Sequence, residues 1–552
     1  MHTKISPNGL FIATLDNFSI KIKSVDDNEE YKIVYKDDID HYQWSPDSNL
    51  IMGLFLLDNM IKIWRLDDLT WNCTIFETLC GFNNVLWSPD SRHIIVIMNH
   101  LGRATIWSLT NKSSLMYIKD LKCHQIKETG NINTDETMQH KSMKACESIK
   151  DIISFSNNGN YLAVLEESKP LQKFGNFDQY SKDQITIFSL YDDDVKNNKY
   201  NIIWKLDKYI KLQTKSTQGF LWSLDDKFIC AWEPFYEGIV YIYNVKSQEL
   251  LKTVNINLLN PSLPSPSSSQ TLIRCIWSLN KSDFLVLWCY LDKVFLLNCL
   301  TWELLFYLTH PNLINEEDIT LIHEETLVKQ NMTSSELEML KVVNGINSSV
   351  DNDDALLDNT IPFTIGESKL RYKWESKYVP QNQRPYHIEQ LPINTTIDKS
   401  KLIFYQPKFS YDNVYLATYN ARVPNHLYLW STESGLVIHV LSHKLPITDF
   451  QWNPFKNLLA ISTRTQYCFL WTPDRCATYR EETDNIYQNI DDSDVTNKYL
   501  DIKIDTLKWS PKGTELFAFS FDNNQHNDKQ QPYRIIKFTK QFLDNLQNTS
   551  SV

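Results

Sequence analysis

The residues able to do chemistry are plentiful, but their spacing does not suit it. His323-Glu324-Glu325-Thr326-Leu327 begins as a zinc-binding helix would, yet Leu327 stands where a second His is needed one helical turn on. The segment is therefore expected to be a surface loop. Ten Cys, at 73, 80, 123, 146, 230, 275, 289, 299, 468 and 476, include no Cys-x-x-Cys pair. They read as small buried hydrophobes in a reducing compartment rather than as zinc ligands or a disulfide framework. Asp67-Asp68 and Asp192-Asp193-Asp194 could supply paired carboxylates, but both fall in expected turns, where Asp accepts from backbone amides. Gly-x-Ser-x-Gly, Gly-x-x-x-x-Gly-Lys and Gly-x-Gly-x-x-Gly are all missing from a chain with 13 Gly. No catalytic residue, metal, cofactor or small-molecule substrate is expected.

The 16 Trp and 27 Tyr could in principle stack on bases. Against that, 67 acidic residues face 55 basic ones, for a net charge of −12, which disfavours nucleic acid and anionic membranes as partners. The longest apolar run, 284–291, is eight residues, far below the ~20 of a membrane-spanning helix, and no secretory signal opens the sequence. With 42% hydrophobic and 12% aromatic residues, the chain can bury a sizeable core.

Many of the Trp residues stand at repeated positions, which gives them a packing role. A bulky residue followed by a Ser-Pro-Asp-like turn appears at Trp44-Ser45-Pro46-Asp47, Trp87-Ser88-Pro89-Asp90 and Trp509-Ser510-Pro511-Lys512, with a truncated copy at Ser6-Pro7-Asn8-Gly9. Weaker copies stand at Phe155-Ser156, Trp222-Ser223, Trp277-Ser278, Phe409-Ser410 and Trp452-Asn453, making nine. Ser or Asn caps the backbone, Pro presets φ, and Gly suits the fourth position of a type I turn, so each copy ends one strand and starts another. The following strand is apolar, and a third closes on an aromatic such as Trp64, Trp107, Trp430 or Trp471. From turn to closing Trp the spacing is 18 to 20 residues at both ends of the chain.

A fourth, more polar strand gives a unit of about 40 to 45 residues, the period of WD repeats. Over nearly its whole length the sequence resembles the WD-repeat family, although it has no Trp-Asp or Gly-His dipeptide. The buried His-Asp network of typical repeats is therefore expected to be absent from most units. The fold implied is an all-β propeller of about nine four-stranded units in one large ring, two propellers being the alternative. Residues 1–311 would carry units one to six, 312–400 a long polar insertion, and 401–552 units seven to nine, with smaller insertions at 123–150, 166–183 and 521–532. Within the long insertion, 335–343 could form a short amphipathic helix and 348–354 reads as a solvated loop. Only Met1 to Ile5 precede the first turn, so the first unit is expected to lack a strand; either Ile535-Ile536-Lys537-Phe538 completes the ring from the other side or the N-terminus given is incomplete.

A narrower resemblance rests on Thr301-Trp302-Glu303-Leu304-Leu305-Phe306-Tyr307-Leu308-Thr309-His310-Pro311 followed by Ile314-Asn315, with Trp64-Arg65-Leu66, Trp71-Asn72-Cys73, Glu375-Ser376-Lys377-Tyr378 and Pro424-Asn425 in the same order. These are similar to the WD-repeat-protein-eight type, the centrosomal and spindle-pole members of the family. The resemblance implies a cytoskeletal scaffold at the spindle pole body or centrosome. With a coiled-coil anchoring protein and, in fungi, a minus-end-directed kinesin, it would tether microtubule minus ends. His310, Asn315 and Tyr378 would be its partner-binding residues, replaceable by Ala without loss of folding. A translation-initiation propeller on the ribosome is the alternative, and an enzyme would need a catalytic cluster that linear sequence does not reveal.

Overall fold

The computed structural model describes residues 2–537 apart from 122–150, 167–182, 193–201, 257–271, 332–371, 392–404, 480–502, 521–532 and stretches of at most four residues elsewhere. The smaller insertions and the segments 335–343 and 348–354 thus lie largely or wholly outside the described residues. Strands dominate, and among the described residues no helix is long and apolar enough to cross a membrane.

Nine antiparallel blades follow one another, at 2–34, 41–76, 84–118, 153–211, 219–255, 272–309, 408–442, 449–479 and 506–537. Within each, strands pair in chain order. The apolar clusters join consecutive blades: Trp44 and Phe55 of blade 2 with Ala13 and Ile20 of blade 1, Trp232 of blade 5 with Leu285 and Phe295 of blade 6, Leu429 of blade 7 with Phe450 and Phe469 of blade 8. Ile5 and Ile12 of blade 1 then pack on Phe517 and Phe519 of blade 9, which closes the ring. A single ring of nine is therefore the arrangement, and two propellers are not required.

The repeated turn explains why the blades share one register. In blade 2 the Ser45 hydroxyl donates to Asp47 Oδ1 at 2.5 Å and accepts from the Leu50 amide at 2.9 Å. The same pair of bonds recurs at Ser6, Ser156, Ser223 and Ser410. In blade 3, Ser88 donates to Asp90, whose other oxygen meets His93 Nδ1 at 3.1 Å. Burial works to raise the Asp90 pKa, but the bonds from His93, Ser88 and the Arg92 amide prevail and hold it at about 2. The fourth turn residue is left-handed, with φ of 78° at Gly9 and 65° at Ser48. This is the type I turn with a following left-handed residue that suits a short hairpin.

In four blades the Trp ahead of the turn ties the blade to the one before. Trp44 Nε1 donates to Lys4 O at 3.3 Å, Trp222 to Ser154 O at 3.2 Å, Trp452 to Lys408 O at 2.9 Å and Trp509 to Gln451 O at 3.0 Å. In all four the acceptor lies two residues before the preceding turn. At Trp87 and Trp277 the indole nitrogen is buried without a hydrogen-bond partner, so those junctions rest on packing. Blade 5 is thin enough at Gly219 for Arg274 of blade 6 to reach Asp151 ahead of blade 4 at 2.8 Å; a Cβ at Gly219 would lie 2.7 Å from Asp151 Cβ.

Two expectations change. Blade 1 has all four strands, because His2–Ile5 is its innermost one; it is blade 9 that shows three among the described residues, ending with Tyr533–Lys537. The described ends of 312–400 are not loop but sheet, as set out below. The indole bonds make a testable difference. Trp452→Phe keeps the ring and removes the donor, and should cost about 1 kcal/mol in urea unfolding, whereas Trp452→Ala should cost about 3 to 5 kcal/mol.

Candidate partner-binding surface

The stretch that carries the narrower resemblance forms the outer edge of blade 6 and its passage to blade 7. Asn298 and Glu303 close a turn in which Trp302 is left-handed, at φ 57°, and half-buried against Phe228 and Trp277. Leu304–Thr309 follows as the fourth strand of blade 6.

His310 comes next, and its side chain turns into the molecule. It is 8% exposed, its Nε2 lies 2.8 Å from Thr418 Oγ1, and Trp430 Nε1 donates to that same oxygen at 2.7 Å. Since Thr418 Oγ1 accepts from the indole, its own proton can go to His310 Nε2, so a hydrogen-bonded chain runs from the third strand of blade 7 through its second strand to the linker. Tyr428 stands edge-on to the imidazole at 4.6 Å and donates to Pro311 O at 3.2 Å. One blade thus keeps a Trp-Thr-His chain although no Gly-His dipeptide announces it.

The long insertion opens with Leu313–Ile314, which pairs with Tyr386–His387. Leu321–Asn331 then pairs antiparallel with Tyr372–Pro380 and parallel with the outer strand of blade 7, Val437–Ser442, extending that blade to six strands. The expected surface loop at 323–327 is therefore a strand. Residues 322–327 show no apolar–polar alternation, and the strand's pairing partners lie far along the chain, so nothing local announced it.

One face of this hairpin covers blade 8. Glu325, 4% exposed, accepts from Ser376 Oγ at 2.5 Å and from the Lys444 amide at 3.0 Å. Tyr378, partly buried, shares a hydrogen bond with His443 Nε2 at 3.0 Å and packs on Phe469 at 5.3 Å. His439 stacks on His323 at 5.5 Å and meets Trp471 at 5.2 Å. Burial, and then the neighbouring His426, pushes His443 down to about 3; burial and then His323 pushes His439 to about 4; burial alone puts His426 at about 4. Burial likewise pushes the Tyr378 phenol well up. These groups are held neutral, which suits a packed seam more than proton transfer. Among the described residues no three His, Cys, Asp or Glu are grouped to hold a metal, and the seven described Cys are free thiols, six of them buried.

The expectation that His310, Asn315 and Tyr378 could all be replaced without loss of folding is corrected for two of them, since His310 and Tyr378 carry interior contacts. Asn315 is exposed, its amide capped by Asp318 Oδ2 at 2.6 Å, and the neighbouring sequence holds the exposed apolar residues Leu313, Ile319 (84% exposed) and Leu321. Asp67 and Asp68 sit in an exposed turn where Asp68 accepts from the Thr70 amide, as expected.

Three neutral His have a consequence for stability. Their folded pKa values lie below the ordinary 6.5, so the unfolded chain binds protons that the folded chain refuses, and stability is lost as pH falls from about 6.5 through about 4 for His426 and His439 and to about 3 for His443. Urea midpoints should drop through that window, and His439→Phe should flatten the slope by up to ~1.4 kcal/mol per pH unit. Separately, His310→Ala should lower the midpoint as a core substitution does, by about 2 to 4 kcal/mol, while Asn315→Ala should stay within about 0.5 kcal/mol.

No family model matches the chain. It is similar to the mouse WD repeat-containing protein WRAP73, 25% identical over 476 residues, which cover 86% of this chain and 85% of that protein. Joined to a ring of four-stranded blades with a repeated Ser-Pro-Asp turn, this homology supports placing the chain among the WD-repeat proteins.

Proposed function

We propose that the chain is a non-catalytic scaffold that anchors microtubule minus ends at the spindle pole or centrosome, through a coiled-coil anchoring protein and a minus-end-directed kinesin. WD-repeat propellers are typically scaffolds and generally bind other proteins, because loops projecting from a stiff ring can hold several chains at once. The observation that carries the reading is the passage from blade 6 to blade 7. There the residues of the narrower resemblance meet an insertion that departs from the repeat and leaves Asn315, Ile319 and Leu321 exposed. Fold alone does not fix this role, so it rests on that local feature and on the resemblance.

The exposed residues are the probes. A triple variant, Asn315→Ala with Ile319→Asp and Leu321→Asp, should melt like the parent and lose the coiled-coil partner in affinity purification from mitotic cells, with affinity down about 30-fold or more if the patch is a hot spot. Normal pole localisation and partner recovery in that variant would remove this surface as the interface. The nine-bladed count also fits a translation-initiation propeller; co-sedimentation of the parent chain with ribosomes would favour that reading instead.

A further inference from the structure

The junction of blades 9 and 1 lacks two ties that blades 2 and 8 make to the blade before them. At the position of Trp44 and Trp452, blade 1 has Ile5, so no indole can donate to the Lys508 carbonyl as those Trp residues do to Lys4 and Lys408. The lysines at this position differ too. Lys4 Nζ bonds Tyr42 O at 2.9 Å and lies 3.0 Å from His41 Nε2; Lys408 Nζ bonds Phe450 O at 2.7 Å and pairs with Asp449 at 3.4 Å. Lys508, their equivalent on blade 9, makes no such bond or ion pair with any described residue.

Ser510 is also released from its usual duty. In the turns of blades 1 to 5 and 7 the Ser hydroxyl donates to Asp or Asn two residues on. Here that residue is Lys512, which can accept nothing, and the one hydrogen bond at Ser510 Oγ is the Glu515 amide donating to it at 3.1 Å. Its proton is left without an acceptor in the turn.

Lys508 and Ser510 line the same cavity, of about 250 Å³, walled by Trp452, Trp509, Pro7 and Pro454. That is below the roughly 300 to 1,000 Å³ of small-molecule sites and suits one or two amino-acid side chains. Lys508 is exposed on a strand whose neighbours Leu507 and Trp509 are buried, so its amine is open to an anion arriving from solvent, although partial desolvation lowers its pKa. A rigid floor of Trp and Pro takes proline or aliphatic groups, as in the grooves that bind extended peptides.

We propose that this cavity is a docking pocket for an extended peptide of a partner protein, in which a carboxylate meets Lys508 and Ser510 and a neighbouring Pro or aliphatic residue fills the Trp-Pro walls. The carboxylate can come from Asp, Glu or a chain end. The proposal needs only the ring and does not rest on the spindle-pole reading, so either can fail alone.

The test pans a random dodecapeptide phage library on the full chain and measures the recovered peptides, synthesised with a fluorescent label, by anisotropy. The expected peptides share an acidic residue next to Pro or an aliphatic one. Replacing that acid by its amide, or Lys508→Glu in the protein, should weaken binding at least tenfold. Lys512→Glu, an exposed lysine that does not line the cavity, should leave it unchanged. Loss on C-terminal amidation of the peptide would assign the carboxylate to a chain end, and persistence to a side chain. Should Lys508→Glu unfold, Lys508→Gln with Ser510→Ala serves in its place, with the melting temperature as control. Recovery of no peptide, of peptides without an acid, or of peptides that bind the Lys508 variants undiminished would overturn the proposal.

Discussion

A four-stranded sheet that is apolar on both faces can leave neither face in water, and everything else in this chain follows from that constraint. Blade 5 shows it plainly. Phe220 and Trp222 on one strand and Cys230 and Trp232 on the next are divided between the clusters shared with blade 4 and with blade 6. No blade can be satisfied by one neighbour, so the array must either end in capping units or close on itself. Here it closes, through Ile5, Ile12, Phe517 and Phe519. Packing supplies the driving force, since a buried Trp or Phe is worth several times a net hydrogen bond. The Ser-Asp turn and the indole bond then set the register in which that packing is possible.

Two places depart from the repeat in opposite directions. Among the described residues the junction of blades 9 and 1 packs through Ile5, Ile12, Phe517 and Phe519, and Ile5 stands where blades 2 and 8 have Trp. At blade 7 the opposite happens, with an inserted hairpin widening the sheet and laying a buried Glu325, Tyr378 and neutral His residues over blade 8. One place has fewer ties than the rule supplies and the other has more.

The distinction also explains what could be read from the sequence. The turns, the Trp positions and the count of nine were legible because each depends on residues within about 20 positions of one another. Parallel pairing of Leu321–Glu324 with His439–Ser442 is non-local, and no turn signal marks it, so 312–400 read as one polar insertion. His310 was misread for a related reason. A polar residue after a strand and before Pro looks like a surface turn, and only the fold brings Thr418 and Trp430 to it. Asp67-Asp68, whose partners are adjacent in sequence, was read correctly.

Residues that resemble a family motif are therefore a poor guide to where such a ring binds its partners. His310 and Tyr378 recur in the resemblance, yet each is consumed by the fold: one completes a Trp-Thr-His chain and the other closes the hairpin over blade 8. In a repeat protein the same structural demand falls on every unit, so shared residues report first on packing and only second on recognition. The side chains proposed to act on other molecules are those that the repeat has released. Asn315 is released because the insertion leaves the repeat, and Lys508 because it makes with no described residue the bonds that Lys4 and Lys408 make to the next blade. Recognition by a propeller of this kind is thus best sought where the repeat fails.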